Sequence, residues 1–175
     1  DGVRLEVDTA GAVELITGGA SLGQGFETVM AQVCAEILGV DYRRVRVTHG
    51  QTDRIAFGIG AHASRATVMT ASATHNGAVK LRAKALEVAA ELMQAPADAL
   101  DIVDGKVVRK DRPSGPSISL GEIAGHLEPT SKTLGDRPPG LSAEGWFRVE
   151  HQVYPYGIHF AVVKVDRETG AVALE

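Results

Sequence analysis

The sequence predicts an α+β fold, a two-layer mixed β-sheet with packed helices, on three observations. Apolar and polar residues alternate near both ends of the chain, two stretches between them repeat at helical spacing, and each helical stretch follows a short strand and a glycine-bearing loop. The chain has 175 residues, 44% hydrophobic and 23% charged. That balance and length suit one globular domain with a core of its own, spanning residues 1–175.

Val3, Leu5 and Val7 alternate with polar residues, Thr9-Ala10-Gly11 turns, and Val13, Leu15 and Thr17 resume the alternation, which reads as a hairpin. Residues 18–25 form a loop. Val29, Val33 and Ile37, with Met30, Cys34 and Leu38, then recur at helical spacing until Gly39 ends the run. Val45 and Val47 make a second short strand, and residues 50–62 a second loop. A long helix is expected from near Ser64 to Met93, with Ala71, Ala78, Leu81, Ala85, Val88 and Leu92 on its apolar stripe and Gly77 at a bend. After Pro96, residues 100–109 read as a hairpin turning at Asp104-Gly105. Ser119 followed by Glu122 is a capping box that opens a short helix to His126. Residues 144–151, 158–165 and 172–174 alternate like strands, with a turn at 166–170 between the last two.

Composition narrows the function. The net charge of -4 is spread along the chain, so no basic face invites a nucleic acid. No apolar run approaches the roughly 20 residues that cross a bilayer, so no membrane partner is expected. Cys34 is the only cysteine, which excludes an internal disulfide and any multi-cysteine metal site built by this chain alone, and fits a reducing compartment. The chain opens on Asp1 and stops at Glu175 inside a strand pattern, so both ends are expected to be cuts in a longer subunit.

The pair of glycine loops carries the functional argument. Each leaves a strand and opens a helix, where free N–H groups and a partial positive charge favour anionic ligands. In the first, Gly23 and Gly25 flank Gln24, whose carboxamide both donates and accepts. In the second, Ala63-Ser64-Arg65-Ala66-Thr67 places two hydroxyls, a guanidinium and small alanines at a helix start, which reads as a phosphate seat. Taken singly, Ser64 is a helix cap, Arg65 a solvated cation and the glycines turn formers. Neither loop has the Gly-Lys-Ser/Thr ending of nucleotide triphosphatases, and residues 18–23 miss the spacing of the dinucleotide fingerprint.

The string Gly23-Gln24-Gly25-Phe26-Glu27-Thr28, with Gln32 beyond it, resembles a signature of the molybdenum hydroxylase large subunits, the family of xanthine dehydrogenase, aldehyde oxidase and carbon monoxide dehydrogenase. Its continuation, His49-Gly50-Gln51-Thr52-Asp53, Phe57-Gly58 and Ala63 to Val68, agrees in order and spacing, and Tyr154-Pro155-Tyr156-Gly157 and Asp166 to Gly170 match a later segment. Leu22 stands where His or Met is common, and Ala66 where Ser is frequent. The resemblance implies a molybdenum cofactor-binding domain in which Leu22, Gly23, Gln24 and Gly25 contact the pterin and metal end, and Ala63, Ser64, Arg65, Ala66 and Thr67 the pterin and phosphate. It further implies molybdopterin in its cytosine dinucleotide form, FAD and 2Fe-2S on partner chains or domains, and the remainder of the large subunit, iron–sulfur and flavin subunits, and a small-molecule substrate as partners. The location implied is cytoplasmic. The family's Gly-x-Gly-Glu segment, whose glutamate is the catalytic base, does not occur in these residues, so no catalytic residue is assigned and the isolated piece is expected to be inactive. The rival reading is a non-catalytic anion-binding or interaction module on the same scaffold.

Other polar residues receive plainer readings. None of the six histidines has the close spacing that preforms a metal site on one helix, and no metal ligand is assigned; His62 stands out for preceding the phosphate seat. Asp53 and Arg54 pair with each other, with the ligand, or only with water. Cys34 reads as a buried, inert thiol. Trp146, Phe147, Tyr154 and Tyr156 read as core or docking surface, and the isolated piece is expected to self-associate.

Overall fold

A computed structural model of the chain describes residues 1–151 and 153–175. The strands β1 (Gly2–Val7) and β2 (Val13–Thr17) form the expected hairpin, with Leu5 opposite Leu15 and Val7 opposite Val13. They lie at the centre of a four-stranded sheet in the order β3-β2-β1-β7, where β3 (Val45–Thr48) runs parallel to β2 and β7 (Leu141–Trp146) antiparallel to β1. The parallel neighbour is what a strand–helix crossover produces, and α1 (Phe26–Leu38) is that crossover.

The register puts Val3, Leu5, Val7, Val13, Leu15, Val45, Leu141 and Gly145 on one face, all buried. Against this face pack α1, through Phe26, Met30, Cys34 and Leu38, and the long α2 (Ser72–Met93), through Ala73, Ala78, Leu81, Ala85 and Val88. The predicted stripe of α2 is right at Ala78, Leu81, Ala85 and Val88, while Ala71 and Leu92 are only half-buried. The two-layer mixed α+β architecture stands as read from the sequence. A second, antiparallel sheet of β4 (Leu100–Val103), β5 (Lys106–Arg109) and β6 (Ile118–Ser119) is tied to the end of α1 by the Gly105 N–H, which donates to the Gly39 carbonyl at 2.8 Å. The capping box opens α3 (Leu120–His126), with Ser119 Oγ accepting from the Glu122 N–H at 3.1 Å and Glu122 Oε2 from the Ser119 N–H at 2.8 Å.

The bounds of three elements are corrected. The long helix does not begin at Ser64: Ala63 and Ser64 have φ of 50° and 56°, a left-handed backbone outside the helical region, and a single π-helical turn (Thr67–Ala71) precedes α2. Ser64 is therefore loop. Gly77 marks a close crossing, because a Cβ added at Gly145 would lie 2.0 Å from the Ala73 carbonyl oxygen and 2.4 Å from the Gly77 nitrogen. The strand expected at 144–151 is β7 at Leu141–Trp146, since its inward positions Leu141, Ala143 and Gly145 are mostly small where α2 presses on the sheet. The stretch expected at 158–165 reduces to β8 (Val163–Val165), which pairs with β9 (Val172–Leu174) across the predicted turn.

Candidate functional site

Both glycine loops leave the same end of the parallel strands β2 and β3, and two of their glycines hold them together. A Cβ on Gly18 would lie 2.4 Å from Gly58 Cα and 2.4 Å from the Phe57 carbonyl oxygen, and one on Gly58 would lie 2.2 Å from the Gly18 carbonyl oxygen. Only two residues without side chains allow this backbone contact. The first loop is also tied to the end of β3: Ser21 Oγ donates to Glu27 Oε2 at 2.9 Å, and His49 Nε2 lies 2.9 Å from Glu27 Oε1. The bond from His49 comes first among the causes that hold the Glu27 carboxyl below the usual range. The His49 ring meets Phe26 edge-on at 5.8 Å, fixing the start of α1 from the other side.

Between the loops lies a cleft of ≈ 510 Å³ lined by Leu22 and Gln24 from the first and by residues 61–68 from the second, with Tyr154 and Pro155 closing one side. Of the predicted site residues, Leu22, Gln24, Ala63, Ser64, Arg65, Ala66 and Thr67 line it. Gly23 and Gly25 flank Gln24 with φ of 92° and 76°, conformations that glycine adopts freely, and no atom lies within 4 Å of where their Cβ would stand. Gly25 is the N-cap of α1 and brings no side-chain cap, while the Glu27 carboxylate lies in the first turn of that helix. Ala61, His62, Val68, Tyr154 and Pro155 were not among the expected site residues. The Tyr154-Pro155 motif was the available signal for the last two.

The polar groups of the cleft have spare capacity. Gln24 folds back on its own loop, accepting from the Leu22 N–H and donating to the Ala20 carbonyl at 3.1 Å. One amide hydrogen and one lone pair of the carboxamide are left over. Among the described residues, no acceptor meets the N–H of Ala63 or Ser64. Gly23 and Gly25 flank the cleft without lining it, and a cleft with open backbone donors, small alanines and two bare glycines at its edge fits a flat heterocycle carrying a phosphate. Arg65 is not the solvated cation of the plainer reading. It is 9% exposed, and its guanidinium donates to Asp1 Oδ2 at 3.0 Å, to Asp1 Oδ1 at 3.1 Å and to the Gly60 carbonyl at 3.0 Å.

Arg54 pairs with neither Asp53 nor the cleft. It forms a fork on Glu14 at 2.8 and 2.9 Å, and this bond, with help from Thr48 against the cost of burial, lowers the Glu14 carboxyl to about 2. Burial pushes the Cys34 thiol up to about 12, which makes it inert. Among the described residues, no three His, Cys, Asp or Glu side chains gather as a metal site. Among the described residues, no helix is long and apolar enough to cross a membrane.

Residues 1–175 match the family model of the molybdopterin cofactor-binding domain. The chain is 35% identical to the gamma subunit of the 6-hydroxypseudooxynicotine dehydrogenase complex of Paenarthrobacter nicotinovorans, over 95% of this chain and 21% of that protein. It is 29% identical to the carbon monoxide dehydrogenase large chain of Hydrogenophaga pseudoflava, over 97% of this chain and 21% of that one. Among solved structures, the carbon monoxide dehydrogenase of Oligotropha carboxidovorans superposes with a TM-score of 0.82 at 27% identity, covering 99% of this chain and 21% of that one. Quinoline 2-oxidoreductase of Pseudomonas putida 86 superposes at 0.76 with 25% identity, covering 99% of this chain and 22% of that one. The chain thus spans about a fifth of the length of these relatives.

Proposed function

We propose that this chain, which belongs to the molybdopterin cofactor-binding domain family, supplies one wall of the cofactor cleft in the large subunit of a molybdenum hydroxylase. The observation that carries this reading is the single cleft that Leu22 and Gln24 share with residues 63–67. Gly23 and Gly25 let the backbone come close to the pterin, Gln24 offers its spare amide hydrogen and lone pair, and the N–H groups of Ala63 and Ser64 meet the phosphate end. Ala66 and Thr67 shape the wall, and with Ala66 in place of a hydroxyl residue the contact there falls to the backbone. When bound, the molybdenum centre supplies transfer of a water-derived oxygen to carbon and takes up the electrons.

In this reading the cofactor is the cytosine dinucleotide form, the substrate an aldehyde, an N-heterocycle such as a purine, or carbon monoxide, and the electrons leave through 2Fe-2S and FAD groups on partner chains or domains. The catalytic base lies in the remainder of the large subunit, which makes residues 1–175 inactive by themselves, and the working enzyme is cytoplasmic. The test is molybdenum analysis, with pterin fluorescence after oxidation, on the full-length protein purified with its partners. Wild type is expected to carry both, while Gln24→Ala and Ser64→Phe, which fills the cleft from an exposed position, lose most of them. An assembled wild type with neither molybdenum nor pterin would refute the proposal in favour of a non-catalytic anion-binding or interaction module.

A further inference from the structure

The Arg65 side chain sits in the cleft wall, yet three of its five guanidinium N–H donors are engaged within the chain. Its backbone N–H donates to the His62 carbonyl at 3.1 Å, and its carbonyl accepts from the Met69 N–H at 2.9 Å. Its guanidinium spans Asp1 and Gly60. The Asp1 carboxylate is fully buried and also accepts from Thr70 Oγ1 at 3.2 Å, on the π-helical turn. Asp1 itself is held by the sheet: its backbone nitrogen donates to the Phe147 carbonyl at 2.9 Å, and the Phe147 N–H returns a bond to the Asp1 carbonyl at 3.0 Å, continuing the β1–β7 ladder past Gly2. The carboxylate is thus a fixed point on the sheet from which the second loop and the first turn of the long helix hang.

We propose that Asp1 is a positioning residue for the cofactor cleft and that Arg65 is its bracket: the buried pair holds the left-handed backbone at Ala63 and Ser64 open toward the cleft and keeps the guanidinium away from the phosphate. This rests on reading the cleft as a molybdopterin site. A phosphate that recruited the Arg65 guanidinium would strip the buried Asp1 carboxylate of its main partner, and an unpaired buried charge is strongly disfavoured. The pair is neutral as a whole, so the anion-binding capacity of this wall resides chiefly in main-chain N–H groups. The left-handed conformations at 63 and 64 are ones that Ala and Ser rarely adopt. A bracket on the adjoining residue is what such a backbone needs in order to persist.

The test uses the full-length protein with its partner subunits, reading molybdenum and pterin per polypeptide, the thermal midpoint, and amide hydrogen exchange over residues 60–70. Asp1→Asn and Arg65→Lys, which keep size but break the fork, are each expected to lower cofactor content by roughly threefold or more and to speed exchange by about tenfold. The double variant Asp1→Leu/Arg65→Met leaves no unpaired charge and returns content to within about twofold of wild type. Leu100→Ala, in the second sheet, serves as a control that lowers the midpoint while keeping the cofactor. Normal loading of Asp1→Asn beside an empty Arg65→Lys would make Arg65 a direct ligand and overturn the proposal. So would unchanged exchange in Asp1→Asn, or cofactor loss in Leu100→Ala equal to that in Asp1→Asn, which would reduce the bracket to general stability. A wild type without cofactor, by contrast, removes the cofactor reading and this role with it, before any variant is compared.

Discussion

Replacing Gly18 with alanine tests whether the meeting of the two loops builds the cleft. The added methyl would stand 2.4 Å from both Gly58 Cα and the Phe57 carbonyl oxygen, backbone atoms that cannot rotate away. Relief requires the loops to part by about an ångström, and overpacking of this kind costs roughly 1–3 kcal/mol, here toward the upper end because both obstacles are main chain. At roughly 2–4 °C per kcal/mol for a domain of this size, the thermal midpoint falls by about 4–10 °C. Gly23→Ala is the matched comparison. It meets nothing within 4 Å and is penalised only by its φ of 92°, a cost of about 1–2 kcal/mol. Calorimetry of the full-length protein, with cofactor content measured on the same samples, should rank Gly18→Ala as the more destabilised variant and the one with a looser cleft. A Gly18→Ala protein that melts with wild type, or that is more stable than Gly23→Ala, would refute the close approach as the determinant of the site.

Glu14, lowered from 4.5 to about 2 chiefly by Arg54, gives stability that is complete above about pH 4.5 and is lost as pH falls from there toward 2. After screening at this half-exposed pair, the contribution is about 1–2 kcal/mol, and Glu14→Gln should flatten the acid limb of a urea-stability profile in that window. An unchanged acid limb would remove the pair from the account. The Cys34 thiol, fully buried and pushed up to about 12, should resist iodoacetamide in the native protein at pH 8 and react once urea unfolds it; rapid native alkylation would contradict its burial.

Much of the fold and most of the candidate site were legible in the sequence because their signals are local. Alternation over a few residues marks β1 and β2, a period near 3.6 marks α1 and α2, and the residue pairs Asp104-Gly105 and Ser119-Glu122 mark a turn and a cap by chemistry confined to neighbours. The Gly23-Gln24-Gly25 loop and the 63–67 segment were visible in the same way, as loops that leave strands and open helices. Sequence spacing does not show what faces such a loop from far along the chain.

Only the tertiary structure decided those facing partners. The inward side of β7 is Leu141, Ala143 and Gly145, and its smallest residues are chosen by the approach of α2 and not by any apolar rhythm that alternation could reveal. The left-handed turn at Ala63 and Ser64 looked like a helix start because small and polar residues suit both, and the choice between them was made by the bond network around Arg65. The carboxylate that receives that guanidinium belongs to Asp1, far away in sequence and near only because the β1–β7 ladder carries it there. Short-range propensity thus wrote the elements and the two loops, while the contacts that turn the loops into one cleft arise between residues whose separation along the chain leaves no local trace.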